Sequence, residues 1–405
     1  MKYIMMSLSN RGFCDINSSP IYSCRLFWRV TIPLYIPTPS GMSEFQDEYE
    51  RIFNNGVIPP DMSICWLMSQ LNISDIVRKI EQTYYSPHLR DYFHYPIDFL
   101  IKLTVVMTYR RIAYRHIRRK ITEEDLSHLL PAKSPLWLPS PSTLHYFVKY
   151  RLGEEGMEAL MFLISKKIVH FLKSETEVII DSTPLVASRY CPNSLFNPHY
   201  QVKMDKAHIL NLGAYPLFMI HSEGTENDKP YAHFLIQIAE LLGVSCDHVL
   251  MDAGYDSLEL HTLIFEKLHA KPIIQLRSDA QLSPLGSEKT ITKQINTFWR
   301  KGGNAQMSLT EKLVFLCKNG KREMVGAYLR NQTILHGREV KDAMKRRGTC
   351  ERKHAHLKKT VKFDVVHCKK NNRALSAIMN FITFQLLMLA HLQNGFQNMN
   401  FANYR

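Results

Sequence analysis

Apolar residues recur at intervals near 3.6 in the first part of the chain and change to short unbroken runs after residue 175. ICWLMSQL (64–71), YPIDFLIKLTVVMTYRRIAYRHIRRK (95–120) and MEALMFLISKKIVHFL (157–172) carry the helical period. PSPSTLHYF (139–147) reads as a Pro/Ser loop running into a helix, with Ser142 as its N-cap. Past 175, EVIID (177–181) predicts a strand whose Val178, Ile179 and Ile180 are buried on both faces. KAHILNLGAYPLFMIH (206–221) predicts a hairpin turning at Gly213-Ala214, and DHVLMDAGYD (247–256) and KPIIQLR (271–277) predict two further strands. DKPYAHFLIQIAELLG (228–243), closed by Gly243, and SLELHTLIFEKLHA (257–270) are amphipathic helices.

This β-β-β-α-β-α-β order predicts an α/β fold with a mixed sheet covered by helices. The segment 278–340 departs from it, with polar turns, Gly302-Gly303 and short runs such as KLVFLC (312–317) and MVGAYL (324–329). These predict a strand-rich insertion before the last helices. The expected organisation is an irregular extension over 1–41, a helical domain over 42–175 and a first core segment over 176–277. The insertion (278–340), returning helices (341–395) and a tail (396–405) follow.

Charge narrows the function. The 405 residues hold 51 Lys and Arg against 37 Asp and Glu, a net +14 that points to a polyanionic partner, nucleic acid before an anionic membrane. The apolar run 374–392 lacks charges, but Ser376, Asn380 and Thr383 form one polar stripe, as on a helix of a soluble core. No membrane segment or secretory signal is expected. Eight scattered cysteines without CxxC spacing predict reduced thiols and a cytoplasmic setting. No Walker loop or GxGxxG fingerprint is present, which argues against the common nucleotide-binding enzymes.

Four groups of residues carry candidate chemistry. Arg111, Arg115 and Arg118 follow at i, i+4 and i+7, so a continuous helix over 95–120 would carry three guanidiniums on one phosphate-tracking face. Asp181 and Asp252 end two predicted strands and would converge at one sheet edge if those strands are neighbours. Glu351 lies in KRRGTCERKHAHLKK (345–359), and on a helix Arg347, Glu351, His354 and Lys358 share roughly 60° of arc. A helix starting at Thr349, after Gly348, would instead leave Arg347 in the preceding loop. Three hard oxygen donors suit Mg²⁺. Cys350, His354, His356, His367 and Cys368 lack zinc-finger spacing, and the two central histidines read as a helix face lying on DNA. Trp299, beside Arg300, Lys301 and the glycine pair, is a candidate for stacking on an unpaired base.

Over 95–395 the chain resembles bacterial insertion-sequence transposases of the DDE type, built on a ribonuclease H-like core. VIIDSTPL (178–185) is similar to the family's first motif and HVLMDAGYD (248–256) to its second. Arg347, Glu351 and Lys358 match the C-terminal signature Y-x2-R-x3-E-x6-K, and the helical region 95–152 is similar to the DNA-end-binding domain. The signature's tyrosine position holds Met344. The resemblance implies a nuclease and strand transferase in which Asp181, Asp252 and Glu351 hold two Mg²⁺ or Mn²⁺ ions. Arg347 and Lys358 would grip phosphates, with Lys203 of YQVKMDK (200–206) as a further phosphate ligand. It also implies double-stranded DNA partners, the terminal inverted repeats and the target, and a homodimer in the DNA-bound complex. Two alternatives remain: a structure-specific nuclease of the same fold, or a domesticated DNA-binding protein, which Met344 leaves open.

Overall fold

The computed structural model describes residues 63–84, 95–130, 137–187, 191, 194–277, 279–299, 307–363, 370–396, 401 and 404. The expected extension over 1–41, together with His367, Cys368 and residues 300–306, lies outside the described residues, as do the surroundings of the Trp299 side chain.

Strand β1 (Glu177–Val186) organises the molecule. Its alternation places Val178 and Ile180 in the main core and Ile179 in a second cluster with Leu250, Ile273, Ala343 and Cys350. β-branched residues that must bury both faces of a strand belong at the centre of a sheet. On one side β1 pairs antiparallel with β3 (Val202–Leu212), Ile180 opposite Leu210. The far edge of β3 carries β2 (Leu195–Asn197) and β4 (Tyr215–Glu223). On its other side β1 runs parallel to β5 (His248–Met251), which is parallel to β6 (Lys271–Ile274). Three antiparallel strands followed by two parallel to the first, with helices on the faces, make the ribonuclease H-like arrangement. The β3–β4 hairpin turns at Gly213, whose φ of 56° suits a residue without a Cβ.

Helices α1 (Ile64–Gln70), α2 (Ser74–Tyr84), α3 (Ile97–Tyr109), α4 (Glu123–Leu129) and α5 (Gly153–Phe171) precede the sheet. Their buried residues share one core with Val178, Ile180 and the last helix, so no break in packing occurs near residue 175. Helix α6 (Lys229–Leu242) ends on Gly243 in the left-handed conformation, and α7 (Leu258–Leu268) crosses between β5 and β6. Farther on come α11 (Gly337–Val361) and α12 (Lys370–Gln393), after three helices of the insertion described below. The segment Arg373–Gln393 is long and apolar enough to cross a membrane, but 78% of its apolar window is buried inside the fold. Gln385 of α12 donates to Ser165 of α5 at 3.0 Å, a polar contact sealed within that core.

Three expectations are corrected. The insertion is helical: α8 (Glu288–Trp299), α9 (Leu309–Lys318) and α10 (Arg322–Leu335) replace the expected strands. KLVFLC and MVGAYL alternate only locally. Leu313 and Leu316, then Val325, Tyr328 and Leu329, keep i, i+3, i+4 spacing and close a small core with Ile291, Ile295 and Phe265. The 95–120 helix stops at Tyr109. Arg111 is left-handed (φ 58°), Ile112 N–H donates to Met107 O at 2.8 Å, and Arg111 N–H donates to Thr108 O at 3.2 Å. This pair of bonds is a Schellman stop, here with arginine where glycine is usual. Arg111, Arg115 and Arg118 are exposed, but all three lie beyond the stop: Arg111 in the left-handed turn, Arg115 in a 3-10 turn (Tyr114–His116) and Arg118 in a short helix (Ile117–Lys120), so they do not share one helix face. Finally, the helix Pro141–Tyr146 is capped by Ser140, not Ser142, with Pro141 at its first position.

One polar node holds the N-terminal helices together. Asp125 closes a capping box with Thr122 and accepts from Arg110 at 2.8 Å and from the Cys65 thiol at 3.2 Å. Burial alone would raise its pKa, but Arg110, the Thr122 N–H and Cys65 hold the carboxyl down at about 2. A carboxyl held below its unfolded value of 3.8 gives stability that is complete above that pH and is lost as pH falls toward about 2. Asp125→Ala should therefore cost about 1–3 kcal/mol at neutral pH. Thermal melts should show the deficit shrinking between pH 4 and pH 2; a deficit independent of pH across that range contradicts the assignment.

Candidate active site

The sheet register brings the first two carboxylates together. Ile179 pairs with Leu250, so two residues farther along each parallel strand Asp181 comes beside Asp252. Asp252 caps a single helical turn, accepting from Gly254 N–H at 2.9 Å. Glu351 arrives on α11, which continues through Gly348 without a break, so Arg347 belongs to the helix. Ala343, Cys350, His354, Leu357 and Val361 form the buried stripe that lays α11 against the sheet. At the edge of that stripe Arg347 places one nitrogen, Nη2, 3.4 Å from Asp181 Oδ1 and 3.4 Å from Glu351 Oε1. Arg346, on the preceding position, grips Glu177 at the start of β1.

Asp181, Asp252, Glu351, Arg347 and Lys358 line one open polar cleft of about 580 Å³. Ser182, Asn197, Tyr200, Lys206, Asp228 and His354 are among the other residues of its walls. Asp181 is 6% exposed, and burial pushes its pKa up to about 6. Arg347 and the Ser182 N–H oppose the rise, while the charges of Asp252 and Glu351 add to it. The cleft thus gathers three carboxylates, hard oxygen donors, with Asp181 held there against the cost of burial. That donor set fits a divalent cation such as Mg²⁺ or Mn²⁺.

A second donor group adjoins it. Asp181, Cys350 and His354 each offer one ligand atom within 4.8 Å of the others. Cys350 Sγ lies 3.2 Å from His354 Nε2, which also meets Asn211 Oδ1 at 3.3 Å. Burial, then Lys358 and Arg347, lowers the His354 pKa to about 4 and keeps the ring neutral. His354 and His356 are not a DNA-facing pair: the first is 4% exposed and the second stacks on Phe401 at 5.3 Å. Met344 packs toward Ile179, Leu250 and Ile273 and is not among the residues lining the cleft. Lys203 is also outside the lining, its ammonium donating to Cys191 O at 3.1 Å.

The family model of the transposase DDE domain matches residues 173–384, which is more than half of the chain. The chain belongs to the DDE transposase family. Its function is therefore that of a transposase, an enzyme acting on DNA, and membership implies use of a divalent metal. No curated protein matches its sequence. A solved structure with some likeness is the piggyBac transposase synaptic complex with hairpin DNA, at 10% identity and a TM-score of 0.28. That alignment covers 87% of this chain and 84% of the other, and at so low a TM-score it carries no argument.

The transposase positions Asp252 by contacts that the sequence did not reveal. Four residues on, Asp256 receives Arg330 of α10 through Nε at 3.1 Å to both carboxylate oxygens, and through Nη2 at 3.1 Å. Lys229 of α6 donates to the Asp256 carbonyl at 2.7 Å. Against the upward push of burial, His261 and Arg330 hold the Asp256 carboxyl below its usual range. Gly326 lets α10 approach: a Cβ there would collide with the Leu258 carbonyl and lie 2.6 Å from Thr262 Oγ1. The helical insertion is thus clamped to the turn that carries Asp252. Arg330→Ala should cost about 1–3 kcal/mol of stability and slow DNA cleavage more than it weakens DNA binding. Equal losses of rate and affinity, or no loss of either, contradict this positioning role.

Proposed function

We propose that this transposase cuts phosphodiester bonds at the ends of an insertion element and joins the freed 3′-OH to target DNA. The observation that carries this reading is the convergence of Asp181, Asp252 and Glu351, from three separate elements, on one cleft with Arg347 between two of them. These three carboxylates would hold two Mg²⁺ or Mn²⁺ ions. Bound there, such ions lower the pKa of an attacking water or hydroxyl and stabilise the departing oxygen.

The protein's own groups do the rest. Arg347, placed between Asp181 and Glu351, offers a guanidinium fork that suits phosphate oxygens. Lys358, about three turns farther along α11, extends the positive rim of the cleft. Arg111, Arg115 and Arg118 serve end-binding from the segment after the α3 stop. Arg111 reaches the Lys359 carbonyl at 3.3 Å, so that segment adjoins the C-terminal part of α11. The DNA partners in this reading are the terminal inverted repeats and the target, bound by a homodimer in the cytoplasm.

Asp181→Asn, Asp252→Asn and Glu351→Gln keep side-chain shape but remove the metal-binding charge. Each should lower Mg²⁺-dependent cleavage of a duplex bearing the element end by roughly 10²–10⁴-fold, with binding of that duplex retained. Gel assays of cleavage beside fluorescence anisotropy of binding make the test. Near-normal cleavage by any one variant removes that residue from the set.

A further inference from the structure

We propose that Lys206 forms a second phosphodiester-binding position, on the side of the cleft that β3 contributes and separate from Arg347 and Lys358 on α11. This rests on the DNA-cleaving reading above. Strand parity separates the two lysines of this stretch: three residues apart on β3, they project to opposite faces, Lys206 to the face it shares with Ser182 and Pro184. Lys203 turns to the Cys191 carbonyl, whereas Lys206 lies opposite Pro184, just beyond Asp181 on β1, and lines the cleft. Its ammonium donates to Glu226 O at 2.9 Å and to Asp228 Oδ1 at 2.9 Å. An ammonium has three hydrogens, so one remains for a ligand in the cleft.

The position is built, not a wandering surface cation. The Lys206 side chain is 13% exposed. Asp228, which steers it, accepts from Ser182 Oγ at 3.2 Å, and Ser182 follows Asp181 directly. Beside it, Asn197 Oδ1 receives the His199 and Tyr200 N–H groups at 2.9 and 3.2 Å and fixes that rim of the cleft. Phosphates repeat every ~3.4 Å of rise along a strand, so DNA held by α11 offers neighbouring phosphates to the other rim. A cation on each side then centres the strand over the carboxylates.

The test measures affinity for a fluorescent duplex carrying the element end, in EDTA, across a salt series. Lys206→Gln should weaken binding several-fold and make the slope of log affinity against log salt shallower by about 0.9, one phosphate contact. The double variant Lys206→Gln/Asp228→Asn keeps the net charge of the wild type and leaves no unpaired Asp228. It should show the same shallower slope, with thermal melts reporting an intact fold. Lys203→Gln should keep the wild-type slope. A wild-type slope in the double variant overturns the proposal, because Lys206 would then serve only to neutralise Asp228. A wild type that binds no element-end duplex overturns the DNA-cleaving reading itself, and this position with it.

Discussion

Crowded negative charge at the end of a buried strand is the constraint on which this structure turns. Asp181 emerges from the most apolar stretch of the sheet, beside Asp252 and facing Glu351. Like charges brought together near a low-dielectric core raise one another's pKa unless cations intervene. Burial raises Asp181 to about 6, with Asp252 and Glu351 adding to the rise and Arg347 opposing it. A fold that spends stability to gather carboxylates in this way gains a site matched to divalent metal. The surrounding elements are arranged to hold that geometry: α11 by its buried stripe, the Asp252 turn by the Arg330 clamp.

The clamp also gives the insertion a role. Its three helices have a small core of their own, yet Phe265 of α7 belongs to that core and Arg330 reaches out of it to Asp256. Motion of the insertion is therefore tied to the residue that follows the second carboxylate by four positions. The N-terminal helices are joined to the catalytic sheet in a different way, through one shared apolar core.

Much of this was legible in the residues. Unbroken β-branched runs marked the central strands, and Gly213 and Gly243 marked a turn and a helix end. The three carboxylates and Arg347, which share one cleft, could be singled out because each lies at a strand end or on a helix face with fixed spacing. The insertion was misread because a four- to six-residue apolar run fits either period, and its helical spacing shows only over two turns. The α3 stop was hidden because Arg111, not glycine, takes the left-handed position. Lys203 was chosen because no local pattern shows that Lys206, held by the Glu226 carbonyl and Asp228, is the lysine lining the cleft. Arg330 and Asp256 are 74 residues apart, and no local pattern joins them.

The central claim is that Asp181, Asp252 and Glu351 form one metal-binding set. An anomalous difference map at the manganese edge, from crystals soaked in Mn²⁺, tests it most directly. The account predicts a peak coordinated by oxygens of Asp181 and Asp252, with Glu351 at hydrogen-bond or coordination distance. A map with no peak there, or with its peak on Cys350 and His354 and none beside Asp252, would contradict it.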